Sequence, residues 1–228
     1  MTRAIAKEFL PENQVPSPEA LPLKDDWYNL NIMRYPVEQK AETHQRIIDA
    51  AARSFREHGS EGQGIASLMK DLGLTHGGFY RHFESKADLY VDAITRGLDR
   101  SGEEMVAVAK AAPKGKELRA IIEHYLSAQH VEHVGGGCVI AALAPEIGRQ
   151  PQAVRSSINA AMKTYMSHLL AFLPGSSVVE KRSNFLILFP GMAGVLMTAR
   201  MMTDPAAREE MLAGARRFYI DAFSREGA

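Results

Sequence analysis

The sequence predicts an all-α protein of about nine helices: an N-terminal three-helix domain with a helix-turn-helix, then a C-terminal helical domain. Three observations carry this. Apolar residues recur at helical spacing in segment after segment, beginning with Ile47, Ala51 and Phe55. Strand-like alternation appears nowhere. Breakers such as Gly73, Pro113-Lys114-Gly115, Gly135-Gly136-Gly137 and Pro174-Gly175 fall between the periodic segments.

Composition narrows the field. The chain has 228 residues, 46% hydrophobic and 24% charged, as in an ordinary globular protein of one or two domains. Its 27 Lys and Arg balance 27 Asp and Glu, so any nucleic-acid binding must rest on local placement of cations. The single cysteine, Cys138, excludes an intramolecular disulfide and fits a reducing cytoplasm. Arg3, Lys7, Glu8 and Glu12 interrupt any secretory signal. The longest uncharged apolar stretch, Phe185 to Ala199, falls short of the roughly 20 residues of a membrane span and contains Pro190. It is expected to be a buried helix, with no membrane involved.

Residues 1–36 hold Pro11, Pro16, Pro18, Pro22 and Pro36 without an apolar period, so a flexible arm is expected. A start at Met33 would leave a compact chain. A first helix is expected from about Gln39 to His58, closed by Gly59. The second runs from Gly64 to Leu72, where Gly73 breaks it. Thr75 can cap a third helix ending at Phe83, and Ser85 a fourth that reaches Ala111. Two short helices joined by a Gly turn form a helix-turn-helix, whose second member enters the DNA major groove. Residues 37–84 are thus read as a DNA-binding domain and 85–228 as a second domain. There, Leu118 to Gln129, Cys138 to Ile147, Pro151 to Leu173, Val178 to Met202 and a segment opened by Asp204-Pro205 carry helical patterns.

The run Gly73-Leu74-Thr75-His76-Gly77-Gly78-Phe79-Tyr80-Arg81-His82-Phe83-Glu84-Ser85-Lys86-Ala87-Asp88-Leu89 resembles the DNA-binding domain of the TetR/AcrR family of bacterial transcriptional repressors. The preceding helix, Arg46 through Phe55 to Gly59, fits as well, so the resemblance covers about residues 40–90. Two positions depart from the family pattern. Gly64 replaces the usual Ser or Thr cap, and Ala66 stands where many relatives carry Arg, so fewer phosphate contacts are expected from the second helix.

The resemblance implies that Tyr80, His82 and Lys86 hold phosphates. Thr75, His76 and Arg81 are the candidates for reading base edges, with Arg81 equally suited to a phosphate. Gly77 and Gly78 cost helix stability, so something must approach them closely: DNA for Gly78 and a packed helix for Gly77. Phe79 and Phe83 are expected in the core. The family further implies a homodimer on a palindromic double-stranded operator and a small-molecule inducer, with no cofactor. The last two long helices would form the subunit interface, with Gly191, Gly194 and Phe218 on it. The inducer pocket would draw on Met105, Tyr125, Cys138, Met162, Met166 and Phe189 among neighbours such as Tyr165 and Phe185, each of which also reads as plain core. A ligand that prefers one tilt of the fourth helix would change the separation of the recognition helices.

Cys138 follows three glycines at a helix start, a place that favours thiol reactivity, so an electrophile or oxidant sensor stands beside a buried structural cysteine. The spacing of His130, His133 and Cys138 matches no standard metal set. An enzyme built on Cys138 as nucleophile is a remaining alternative. No G-x-S-x-G, P-loop, dinucleotide or metalloprotease signature supports it, so no catalytic residue is expected. An activator or architectural DNA binder of the same fold is the other alternative.

Overall fold

A computed structural model describes residues 37–223. The expected arm at 1–36 lies outside the described residues. From His44 onward the helical body forms one compact unit.

Among the described residues there are ten α-helices and no strand: α1 Val37–Gly62, α2 Ile65–Asp71, α3 His76–Phe79, α4 Lys86–Ala111, α5 Glu117–Tyr125, α6 Ala128–Glu132, α7 Val139–Arg149, α8 Gln152–Leu169, α9 Val178–Met201 and α10 Pro205–Phe223. A 3-10 turn, Leu170–Phe172, follows α8. Caps set several boundaries. Thr75 accepts from the Gly78 N–H, Ser85 from Asp88 N–H and Ser177 from Glu180 N–H, each supplying an acceptor that the first helical turn lacks. Gly64 caps α2 through its extended backbone alone, with no side-chain bond.

Three boundaries and the burial of one helix differ from the sequence expectation. Gly59 has φ 74° and leaves helical geometry, yet helical turns resume to Gly62, so it kinks α1 rather than closing it. Helix α3 stops at Phe79. Two adjacent glycines weaken it, and the chain finishes in shorter bonds from Arg81 N–H to Gly78 O and His82 N–H to Phe79 O. The helix expected from Leu118 to Gln129 breaks after Tyr125, where Ser127 opens α6 by accepting from His130 N–H. Helix α9 is longer than its uncharged run and only half-buried. It is long and apolar enough to cross a membrane by length and composition, but Phe185, Leu188, Phe189, Met192, Leu196 and Ala199 line one face packed into the core.

One continuous core runs through the helical body from α1 onward. Ile47, Ala51 and Phe55 of α1 pack with Phe79, Phe83, Leu89 and Tyr90, all under 5% exposed. Phe83 also stacks on His44, with ring centroids 4.5 Å apart. Farther along, α4 packs on α8 and α5, and α9 on α7 and α10.

Candidate DNA-reading surface and ligand cleft

Gly73 has φ 71°, which an L side chain rarely adopts, and so turns α2 into α3. Its N–H donates to Lys70 O, and Leu74 N–H to Met69 O, closing the turn. Phe79 is wholly buried and anchors α3 to the core. Its neighbours therefore point outward: Thr75, His76, Tyr80 and Arg81 are exposed, while His82 and Lys86 are half-buried. Tyr80 is 62% exposed, unusual for a large aromatic side chain, and sits edge-on to His76. Phenol, imidazole, hydroxyl and guanidinium donors thus share one short outward face, at the entry to α4.

The close helix packing expected at Gly77 is absent. A side chain at Gly77 would meet nothing within 4 Å, so no helix packs there. A Cβ at Gly78 would lie 3.4 Å from Thr75 Oγ1 and 3.7 Å from Met69 Cε, so Gly78 is the one seated against the chain.

The second site is a cleft between α4, α7, α8 and α9, about 490 Å³ of free space including its open mouth. Tyr125, Cys138, Met162 and Phe189 line it as expected from sequence, together with Tyr165 and Phe185. Met105 instead faces an adjacent polar hollow beside Glu104, His124 and His130. Met166 is buried and lines neither. Sequence reasoning missed Leu98 and Ser101, which bring α4 into the cleft wall, and Val139, Ile140 and Ala193. Their one signal was helical periodicity, which marks core and cleft alike. Tyr125, Tyr165, Phe185 and Phe189 form an edge-to-face and stacked cluster across the cleft.

Cys138 is 8% exposed and opens α7, its Sγ accepting from Ala141 N–H at 3.4 Å. The Cys138 N–H donates to His130 Nε2 at 3.0 Å, and His130 Nδ1 lies 2.7 Å from Tyr125 O. A backbone N–H can only donate, so Nε2 must accept and Nδ1 carries the proton. Burial lowers the His130 pKa, consistent with a neutral ring held between two backbone groups. The Glu104 carboxyl next to it is held below its ordinary value by the hydrogen bond from His124 at 2.9 Å. Among the described residues no group of three or more His, Cys, Asp or Glu is arranged to hold a metal.

All three glycines before Cys138 lie in close approach to neighbouring groups, most firmly Gly135 and Gly137. A Cβ would overlap Glu57 of α1 at Gly135 and the His133 ring at Gly136, and would stand 2.8 Å from His133 O at Gly137. Of the residues expected at a subunit interface, Gly191 is taken up within the chain, because a Cβ there would overlap the Tyr219 hydroxyl of α10. Gly194 faces open space, and Phe218 is 65% exposed.

Comparison with known proteins agrees with both halves. The profile of bacterial regulatory proteins of the tetR family matches residues 47–93, and that of the tetracyclin repressor-like C-terminal domain matches 115–175. An HTH-type transcriptional regulator of Staphylococcus aureus (strain USA300) is 41% identical over 58 residues, 25% of this chain and 31% of that protein. The match thus spans about a third of the length of the curated relatives. A TetR transcriptional regulator from Chloroflexus aurantiacus J-10-fl superposes with TM-score 0.60 at 26% identity, over 81% of this chain and 96% of that one. FadR from Bacillus subtilis, solved with stearoyl-CoA, shares the fold with TM-score 0.58 at 20% identity, over 77% of this chain and 97% of that one.

Proposed function

Because the chain belongs to the TetR family of transcriptional regulators, we propose that it is a repressor that grips a palindromic operator as a homodimer and is released when a small apolar or electrophilic molecule enters the cleft. The observation that carries this reading is the outward face of α3. A buried Phe79 holds polar donors of several kinds outside the fold, with Tyr80 62% exposed among them. Tyr80, His82 and Lys86 hold phosphates, Thr75, His76 and Arg81 meet base edges, and Gly78 lets the backbone approach.

One such unit covers a single half-site. A dimer sets two recognition helices about 34 Å apart or a multiple of it. The surface available for pairing is the outer side of α9 and α10, where Ile187, Met197, Met201 and Phe218 expose apolar side chains around the open Gly194. Placing a charge there, as in Ile187→Glu, is expected to yield a folded monomer by analytical ultracentrifugation and to abolish operator capture.

The cleft supplies the release. Its lining is apolar and aromatic, with Cys138 as its one thiol. B. subtilis FadR holds an acyl thioester on the same fold. For this chain the fitting class is an apolar molecule, or an electrophile that adds to Cys138. Leu98 and Ser101 place α4 in the wall, so an occupant that favours one tilt of α4 changes the spacing of the recognition helices. A gel shift on the DNA upstream of the protein's own gene, with and without apolar and electrophilic compounds, tests the whole. Capture that is lost on adding one compound class is the expected result. Failure to bind any genomic fragment ends the proposal.

A further inference from the structure

Helix α7 is fastened to α1 at both ends. Before its start, Arg56 of α1 donates from Nε at 2.7 Å, and also from Nη2, to the carbonyl of Gly135. Near its end, the backbone N–H of Ser60 in α1 donates to Glu146 Oε2 at 3.0 Å. Each bond joins a side chain to a backbone group, so it fixes main chain rather than a loose side-chain tip. Close approach backs the first of these junctions: a Cβ at Gly135 would stand 2.8 Å from Arg53 Cγ of α1.

Arg56 is an expensive residue in this place. It is 8% exposed, and burial followed by the charge of Arg100 draws its pKa down to about 10. Gly135 O takes two of its nitrogens, while Nη1 is buried without a hydrogen-bond partner. An apolar side chain would fill the gap at lower cost, so what the guanidinium adds is a directional hold on Gly135.

The first residues of α7 matter for the cleft. Cys138, Val139 and Ile140 form one of its walls. At the other end of the chain of contacts, α1 carries the DNA-reading unit: His44 stacks on Phe83, and Arg46 Nη2 lies 3.5 Å from Leu72 O at the turn into α3.

We propose that Arg56 and Glu146 are positioning residues that make α7 and α1 move as one body, so that an occupant displacing the Cys138 wall shifts the recognition helix by a route parallel to α4. The inference rests on the regulatory reading of the cleft and deepens it. The coupling has a defined physical carrier, hydrogen bonds at two junctions and the close seat of Gly135 against α1, rather than spatial proximity alone.

The single cysteine makes a clean test. N-Ethylmaleimide adds the Cys138 sulfur to one carbon of its double bond and the thiol proton to the other, and intact mass reports the extent. Hydrogen exchange is then followed across the whole chain. Labelling is expected to change exchange in residues 54–62 of α1 by about threefold or more. In the Arg56→Met/Glu146→Met variant that response should vanish, while changes in α4 and α8 persist. Cys138→Leu enlarges the same wall without any reaction and should reproduce the pattern if the thiol labels slowly. Should the double variant melt below the assay temperature, Arg56→Lys, which keeps the charge and loses the two-nitrogen grip, is compared instead. An α1 response of undiminished size in the variants, or none in fully labelled or Cys138→Leu protein, overturns the coupling. Binding of genomic DNA by the unlabelled protein is scored separately, and its failure alone would strike the regulator reading.

Discussion

The outward face around α3 and the cleft bear opposite relations to the core. On α3 the residues assigned a function are the ones the core excludes: Thr75, His76, Tyr80 and Arg81 stand exposed around a buried Phe79. In the cleft they are core residues themselves, with Tyr125 1% and Cys138 8% exposed. A partner met from outside demands polar donors where folding alone would place none in particular. A partner received inside asks for apolar surface, which folding demands anyway. The first kind of site therefore stands out against its background, and the second merges with it.

The largest effect should come from breaking the exposed side of this contrast. Tyr80→Ala with Lys86→Ala is expected to weaken capture of operator DNA by roughly 100-fold, two charge-assisted or phosphate contacts being lost, with the melting temperature nearly unchanged. A fluorescence-anisotropy titration checks it, and unaltered affinity would remove α3 from the interface. Next, Gly137→Ala should destabilise the fold by about 1–3 kcal/mol, since the added methyl stands 2.8 Å from His133 O and 2.9 Å from Arg200 Nη2. Urea unfolding measures this, and it would show that residues beside the cleft answer first to packing.

A smaller effect follows from His130. Its pKa in the folded protein lies below the ordinary 6.5, so the unfolded chain binds more protons as pH falls. The stabilisation is fully present above 6.5 and is lost as pH drops towards the folded value. Melting temperatures from pH 8 to 5.5 should fall on that schedule and flatten in His130→Gln. The smallest effect sharpens the comparison within α3 itself. Gly77→Ala meets open space and should stabilise by about 0.4–1 kcal/mol without loss of DNA capture. Gly78→Ala should instead reduce capture. Reversal of the two would move the backbone approach to Gly77.

Much of this molecule is legible in its sequence. Gly73 marks the turn, Thr75 and Ser85 mark the caps, and the outward donors of α3 follow from the spacing of Phe79 and Phe83, because local hydrogen bonds and helical period act within a few residues. Four of six expected cleft residues line the cleft, while Met105 and Met166 do not. Period alone names the buried face of a helix without naming which neighbour it meets. The packing role expected at Gly77 fails for the same reason: a side chain there would meet nothing, while at Gly78 Thr75 and Met69, the latter brought across from α2, stand within 3.7 Å.

Sequence by itself determined most of the helices, several caps and the chemistry of the outward face around α3, since each depends on residues near one another along the chain. Tertiary structure alone decided that Gly135 is wedged against α1, that Arg56 reaches across 79 positions to Gly135, and that Ser60 meets Glu146 across 86. Those bonds exist only once separate helices have packed, and no local pattern encodes which buried donor will find which distant carbonyl.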